Sequence, residues 1–146
     1  MNAMTNAMSA GAAGALTTNV LHELTRRVTP SAPRVDLLGM QAFSKGCNML
    51  GAPSPKGRAL YRATLAGDLL SNGLYFSGVA LTPKRAVLAG LVLGMAGGVG
   101  AVALPRPMGL STAQTARTTV TALLTILLYT AGGLTAGLLH ARLTQE

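Results

Sequence analysis

Residues 83–104 read PKRAVLAGLVLGMAGGVGAVAL, and the last 19 of these residues include no charged side chain. At about 1.5 Å per residue, a helix of this length crosses about 30 Å of hydrocarbon. Thr82 followed by Pro83 is typical of a helix start, and Pro105 ends the apolar stretch. This stretch therefore predicts a transmembrane helix over 83–104.

Segments on both sides of this stretch have a similar character. The preceding one, RALYRATLAGDLLSNGLYFSGVAL at 58–81, is long enough to span. In the following one, Ser111 and Gln114 form a capping-box pattern that predicts the start of a last helix, with a span over 117–140.

The Ala- and Gly-rich segment 5–22 is less apolar, because Asn6, Asn19 and two threonines interrupt it. We expect it to span, with a re-entrant or surface helix as the alternative. The first positive charge is Arg26, after this segment, so the basic n-region of a cleaved signal peptide is missing.

Composition supports a bilayer environment rather than water. Only 11% of the residues are charged, whereas soluble domains have about a quarter, and aromatic residues make up 3% with no Trp. The sequence therefore predicts an all-α, polytopic integral membrane helical bundle of about four transmembrane helices. We expect one domain over 1–146, in a bacterial inner membrane.

An amphipathic segment over about 34–50 separates the first two predicted spans. Its apolar residues share one side of a helical wheel, opposite a polar side. The apolar side comprises Val35, Leu38, Ala42, Phe43, Met49 and Leu50, and the polar side comprises Gln41, Ser44, Lys45 and Asn48. We expect a helix that lies on the cytoplasmic membrane surface or docks on the bundle.

Basic residues predict the orientation, because loops on the cytoplasmic side carry more of them. Nine lie between Arg26 and Arg62 or in the 105–117 loop, and three lie elsewhere. The nine are Arg26, Arg27, Arg34, Lys45, Lys56, Arg58, Arg62, Arg106 and Arg117, and the three are Lys84, Arg85 and Arg142. With four spans, both termini are therefore outside. With three, the N-terminus is inside and the C-terminus stays outside.

Small residues mark two predicted packing seams. Gly90, Gly94 and Gly98 follow one another at intervals of four, which lets a neighbouring backbone approach closely. The stripe is either a dimerisation face or an internal contact, and we favour the internal contact. Gly132 and Gly133 belong to a second seam in the last helix, where we expect threonine hydroxyls to bond across to neighbouring helices.

A polar stripe follows the predicted helix over 58–81. Its members fall within an arc of about 100° at the helical period: Tyr61, Thr64, Asp68, Ser71, Asn72 and Tyr75. A carboxylate near the centre of a span costs about 2.5 to 3.5 kcal/mol on insertion scales, so Asp68 is expected to face the interior or water. The stripe is either a proton or cation site centred on Asp68 or a hydrogen-bonded seam, against the threonines and Tyr129 of the last helix or against a partner chain.

The sequence shows no complete motif for metal binding, catalysis or nucleic-acid binding. His22 and Glu23 begin H-E-L-T-R, but Arg26 replaces the second histidine of the zinc-protease motif, and we interpret both histidines as interfacial residues. No metal, cofactor or enzyme activity is expected, and Cys47 is expected to be a small apolar filler. The net charge of +8 comes without a basic run or interleaved aromatics, which argues against a nucleic-acid partner.

Two functions follow from these observations. The first is a non-enzymatic structural or accessory subunit that packs as a homo-oligomer or in a larger membrane complex, with the lipid bilayer as its other partner. The second is a small proton- or cation-coupled transporter or channel centred on Asp68.

Overall fold

A computed structural model describes residues 2–145, and its regular structure in that range consists of helices without a strand. The helices are α1 (Ala3–Val28), α2 (Val35–Met49), α3 (Gly57–Ser77), α4 (Ala86–Ala103), α5 (Ala113–Ala116) and α6 (Thr119–Leu143). Short 3₁₀ turns over Gly78–Leu81 and Pro83–Arg85 connect α3 to α4.

Two of the described helices are long and apolar enough to cross a membrane. They are Pro83–Ala103, which includes α4, and Thr119–Leu143, which is α6. The helices α1 and α3 have 26 and 21 residues, so their length matches a bilayer, but their polar residues make them less apolar.

Contacts between distant segments define two ends of the bundle. At the end that we call the terminal end, Asn6 Nδ2 donates a hydrogen bond to the carbonyl oxygen of Leu143 at 2.9 Å. At the opposite end, the loop end, the backbone N–H of Arg34 donates to the carbonyl oxygen of Gln114 at 2.7 Å. The four long helices therefore run alternately up and down, and the segments 29–56 and 104–118 meet at the loop end.

Small residues bring α4 and α6 into backbone contact. A Cβ atom added at Gly94 would lie 2.6 Å from Cα of Thr130, and one added at Gly90 would collide with the carbonyl oxygen of Gly133. Gly98 faces Ile126 in the same way. The glycine stripe of α4 thus contacts α6 of the same chain and is not free for a second copy.

The first helix also packs through small residues. A Cβ atom at Gly14 would lie 2.7 Å from the carbonyl oxygen of Gly132 in α6, and one at Gly11 would collide with the backbone of Gly73 in α3. Ala10 and Ala15 on the same face are fully buried. This seam, which our interpretation of the sequence missed, packs one face of α1 against α3 and α6.

The amphipathic helix α2 docks against α3 and α5 at the loop end. Gly39 permits the approach, since a Cβ atom there would lie 2.7 Å from Cγ2 of Thr64. Two residues of the predicted polar side form hydrogen bonds with the loop that precedes α5. Gln41 Oε1 accepts from the N–H of Ser111, and Lys45 Nζ donates to the carbonyl oxygen of Met108. At the end of α2, Met49 is exposed.

The predicted start of the last helix is wrong. Ser111 Oγ accepts from the N–H of Ala113 and opens only the four-residue α5, after which the chain bends. The cap of α6 is Thr118, whose Oγ1 accepts from the N–H of Thr121 at 3.1 Å. The bend has a physical reason, because Thr118 is a second, competing N-cap seven residues downstream of Ser111.

Threonine hydroxyls of α6 bond mostly within their own helix, and one of them reaches a neighbouring helix as the sequence led us to expect. Those of Thr130 and Thr135 donate to carbonyl oxygens four residues back in their own helix. This local bond is always within reach of a helical threonine, whereas a bond across helices needs a matched partner. The hydroxyl of Thr125 has such a partner and donates to the carbonyl oxygen of Thr115 in α5 at 2.9 Å. A second crossing bond comes from Thr115 itself, whose hydroxyl donates to the carbonyl oxygen of Ala101.

Candidate functional site

A cleft of about 480 Å³ lies between α1, α2 and α3. It extends from the loop end to the middle of α3. Its polar lining includes Asn19 and His22 of α1 and Tyr61, Thr64 and Asp68 of α3. Further charged groups line it from α1 and α2: Glu23, Arg26, Arg27 and Asp36. Gly39 of α2 also lines the cleft, so α2, which was expected to lie on the membrane surface or to dock on the bundle, contributes a wall.

Two asparagines hold the Asp68 carboxylate. Asn19 Nδ2 of α1 donates to Oδ2 at 2.8 Å, and Asn72 Nδ2, one turn further along α3, donates to Oδ1 at 3.0 Å. Both carboxylate oxygens thus accept hydrogen bonds from side-chain amides. Within residues 2–145, Asp68 takes part in no salt bridge. The hydrogen bonds that these residues give to its carboxyl group therefore come from amides and not from a cation.

The structure divides the predicted polar stripe. Thr64, Asp68 and Asn72 face the bundle together, and Tyr61 lines the mouth of the cleft. Ser71 is exposed and its hydroxyl donates to the carbonyl oxygen of Asp68 in its own helix, so it does not reach the carboxylate. Tyr75 turns toward α4, where its hydroxyl donates to the carbonyl oxygen of Leu93 at 2.9 Å.

The stripe contacts α1 as well as the last helix. A seam against the last helix was one of the alternatives, and Asp68 also bonds to Asn19 of α1. Tyr129 of α6 lies close enough to interact with Asn72 and Asp68, and it makes an edge-on contact with the His22 ring at 5.7 Å between centroids. The three helices α1, α3 and α6 therefore converge on this site.

His22 is buried, contrary to its interpretation as an interfacial residue. Only 6% of the residue is exposed, and neither ring nitrogen has a hydrogen-bond partner among residues 2–145. The hydroxyl of Thr64, across the cleft, is likewise buried without a partner. Because buried polar atoms are nearly always paired, two orphaned groups in one cleft mark a place where a bound species would complete the hydrogen bonds.

Charged side chains close the loop end of the cleft. Arg26 pairs with Glu23 and with Asp36 of α2, and Arg27 also pairs with Glu23. Arg34 donates twice to Asp36, at 2.9 and 2.8 Å. Burial opposes ionisation of Asp36, but the hydrogen bond and charge of Arg34 and the charge of Arg26 outweigh it and lower the pKa of Asp36. The network ties α2 to α1.

Tightly packed apolar residues close the other side of the site. Ala10, Phe76, Val79 and Ala136 have no exposed surface and form one cluster between Asp68 and the terminal end. Asp68 is therefore reached from the cleft and not from the terminal end.

Asn19 and His22 are the site residues that our interpretation of the sequence did not identify. Asn19 counted only as an interruption of an apolar segment, and His22 only as part of a failed zinc motif. A signal was present, because the two residues are three apart and share a helix face. Among residues 2–145, no group of three or more His, Cys, Asp or Glu side chains is arranged to hold a metal ion.

Comparison with known protein families, with functionally characterised proteins and with solved structures finds no match to this chain.

Proposed function

We propose that this chain is a four-span integral membrane protein in a bacterial inner membrane. Large apolar side chains on the outer faces of all four long helices support this proposal. They include Leu16 and Val20 of α1, Leu70 and Leu74 of α3, Val92 and Val99 of α4, and Leu123 and Leu127 of α6, each about half exposed or more. Surfaces of this kind are stable in lipid, which is as apolar as leucine.

Both termini are outside in this proposal. The basic loops that meet at the loop end support a cytoplasmic loop end by the positive-inside rule. The hydrogen bond from Asn6 to Leu143 supports four spans over three, because it joins the start of α1 to the end of α6. An N-terminus on the cytoplasmic side would separate these two residues by the thickness of the bilayer.

The function that the geometry supports best is a small proton- or cation-coupled carrier, without enzymatic activity, in which Asp68 is the exchanging group. The observation that carries this proposal is that Asp68, held by Asn19 and Asn72 without a salt bridge, lines an open cleft. Acidic residues within a membrane are commonly part of ion or proton pathways.

A carrier is favoured over a permanently open channel. The cluster of Ala10, Phe76, Val79 and Ala136 blocks any path from Asp68 to the terminal end. Transport would therefore need a conformational change that opens the α1–α3 contact on that side while the cleft closes.

Several ionisable groups surround Asp68. From α1 these are His22 and, at the mouth, Glu23 and Arg26; α2 contributes Asp36, and Tyr129 of α6 approaches from behind. Tyr61 is the other ionisable group of α3 that lines the cleft. His22 is the group best placed to pass protons between the mouth and Asp68, because it is buried and its nitrogens are unpaired.

Asp68→Asn tests the proposal. The parent protein, reconstituted in phosphatidylethanolamine and phosphatidylglycerol vesicles, should carry protons down an imposed pH gradient, measured with an enclosed pH-sensitive dye. We expect Asp68→Asn to reduce this flux to the level of protein-free vesicles, because an amide has no exchangeable acidic proton. Ser71→Ala is the matched control, since Ser71 is exposed and bonded to its own helix. Equal flux through the parent and Asp68→Asn would overturn the proposal.

An accessory role in a membrane complex is the second candidate. The exposed apolar end of α2 favours it, because Met49 and Leu50 protrude from the loop end with about four-fifths of their surface uncovered. This role predicts a partner that copurifies in mild detergent and is lost in the double variant Met49→Ser, Leu50→Ser. A solitary, monodisperse protein would contradict it.

A further inference from the structure

We propose that the cleft binds a lipophilic organic cation, with the positive group beside Asp68 and the apolar body along α1 and α3. This inference rests on the proposed carrier function and names the class of its substrate. It goes beyond that function because a carrier of protons alone needs only Asp68 and a path of water or side chains.

The charged side chains that line the cleft are negative on balance, whereas the chain as a whole is positive. The protein has a formal net charge of +8, yet the cleft is lined by three carboxylates and two arginines. Both arginines are paired with Glu23, and Arg26 also with Asp36, so these four groups largely compensate one another. Asp68 remains without a cationic partner among the described residues, and a bound cation would supply one.

The remaining wall of the cleft is apolar. Leu65 and Leu69 line it from α3, and Leu16, Val20 and Leu24 line it from α1. The three α1 residues are each about half exposed, so the cleft opens along the outer side of the helices toward the space that lipid fills in the proposed topology. A volume of about 480 Å³ is within the range of sites for drug-sized molecules. A hydrophobic ligand could enter it directly from the bilayer.

Two polar groups without hydrogen-bond partners point to a bound species in the same place. The ring nitrogens of His22 and the hydroxyl of Thr64 are buried and unpaired, one on each helix that forms the cleft. A lipid acyl chain would leave both unsatisfied. A protonated amine or its attached water can satisfy them, which favours a cation with hydrogen-bonding capacity over a purely apolar occupant.

A matched pair of probes tests the assignment. 4-Phenylbenzylamine is protonated at neutral pH and carries N–H donors, and 4-phenylbenzyl alcohol is a neutral molecule of nearly the same shape. We expect saturable binding of the cation, by equilibrium dialysis against the parent protein in phosphatidylcholine nanodiscs, after subtraction of binding to empty nanodiscs. The neutral probe should bind more than about tenfold more weakly. Equal affinity for the two probes would overturn the inference.

Substitutions of residues that line the cleft test where the cation binds. Asp68→Asn should weaken cation binding by more than about tenfold, whereas Ser71→Ala should leave it unchanged. If Asp68→Asn does not fold, Val20→Trp gives an independent test, because its ring would fill the cleft from the lipid side. Its control is Val92→Trp, at a similarly exposed valine of α4 away from the cleft. Cation binding that survives Val20→Trp would place the ligand elsewhere and overturn the inference.

The two proposals fail differently. A proton flux that depends on Asp68, together with no Asp68-dependent binding of the ammonium probe, would remove the organic cation and leave the carrier function intact. Loss of both signals in the parent protein would remove the carrier function itself.

Discussion

The α4–α6 pair and the α1–α3 pair are both antiparallel helix pairs with glycine in their contacts, but the contact has a different extent in each. Between α4 and α6 it continues from Gly98 and Ile126 to Gly137, which faces Ala86. Between α1 and α3 it is tight near Gly11 and then opens into the cleft. The α4–α6 pair therefore forms a continuous seam, whereas the α1–α3 seam ends at the cleft that contains Asp68.

Side-chain size explains this difference. In α4, glycine occupies three successive positions at intervals of four, Gly90, Gly94 and Gly98, so the two backbones touch along this part of the helix. In α1 the small residues Gly11 and Gly14 give way to Asn19 and His22 toward the loop end. Larger polar groups hold α3 further away, and the space between them is the cleft. Hydrogen bonds there replace close packing as the contact between helices.

Gly94→Ala is expected to have the largest effect on stability and tests whether the α4–α6 seam depends on backbone contact. The added Cβ atom would lie 2.6 Å from Cα of Thr130, which is backbone and cannot move aside. We expect the free energy of unfolding to fall by about 1 to 3 kcal/mol, measured by thermal unfolding in dodecylmaltoside with circular dichroism. Gly94→Leu should prevent the contact altogether.

The matched control is Gly67→Ala in α3. Nothing lies within 4 Å of the Cβ atom that it adds, and its backbone is helical. Alanine favours a helix over glycine by roughly 0.5 to 1 kcal/mol, so this variant should be as stable as the parent or slightly more so. If both variants were neutral, the α4–α6 contact would not be limited by the size of these residues.

Asn19→Ala tests the polar contact of the α1–α3 pair. It removes the hydrogen bond to Asp68 Oδ2, and polar contacts between membrane helices are worth about 0.6 kcal/mol on average and up to about 1.7. We expect a loss within that range, measured under the same conditions. The control is Thr135→Val, since the Thr135 hydroxyl bonds within its own helix. A larger loss in the threonine variant would contradict the assignment of crossing bonds to asparagine.

Lowering the pH should destabilise the fold through the ion pairs of Asp36 at the loop end. We expect this to be the smallest of these effects on the free energy of unfolding. Because the pKa of Asp36 is below its ordinary value of 3.8, its ion pairs stabilise the fold fully above that value, and their contribution is lost as the pH falls through the lowered pKa. These pairs are partly exposed, so we expect about 0.5 kcal/mol. The difference in unfolding free energy between the parent and Asp36→Asn should be present at about pH 6 and vanish near pH 2. A constant difference would contradict this role.

The positions of the helices were largely predictable, but the partners of their polar faces were not. A helix at 34–50 and apolar stretches at 83–104 and 117–140 lie close to α2, α4 and α6, because hydrophobic period and proline are local signals. The break before Thr118 was missed, since two caps compete within seven residues. At the site, Asp68 and Asn72 stood out by their polarity, whereas Asn19 and His22 lay in a helix whose small residues were not predicted to pack against α3 and α6.

The sequence by itself determined where the chain is helical, which segments are apolar enough for a bilayer and that one acidic residue lies among them. These properties depend on residues within a few turns of one another. Only the tertiary structure decided that Asp68 faces Asn19 of α1, that the glycines of α4 pack against α6 of the same chain, and that a cleft remains beside His22. Those outcomes depend on which backbones can approach most closely, and shape complementarity between distant helices is not contained in the pattern of any one of them.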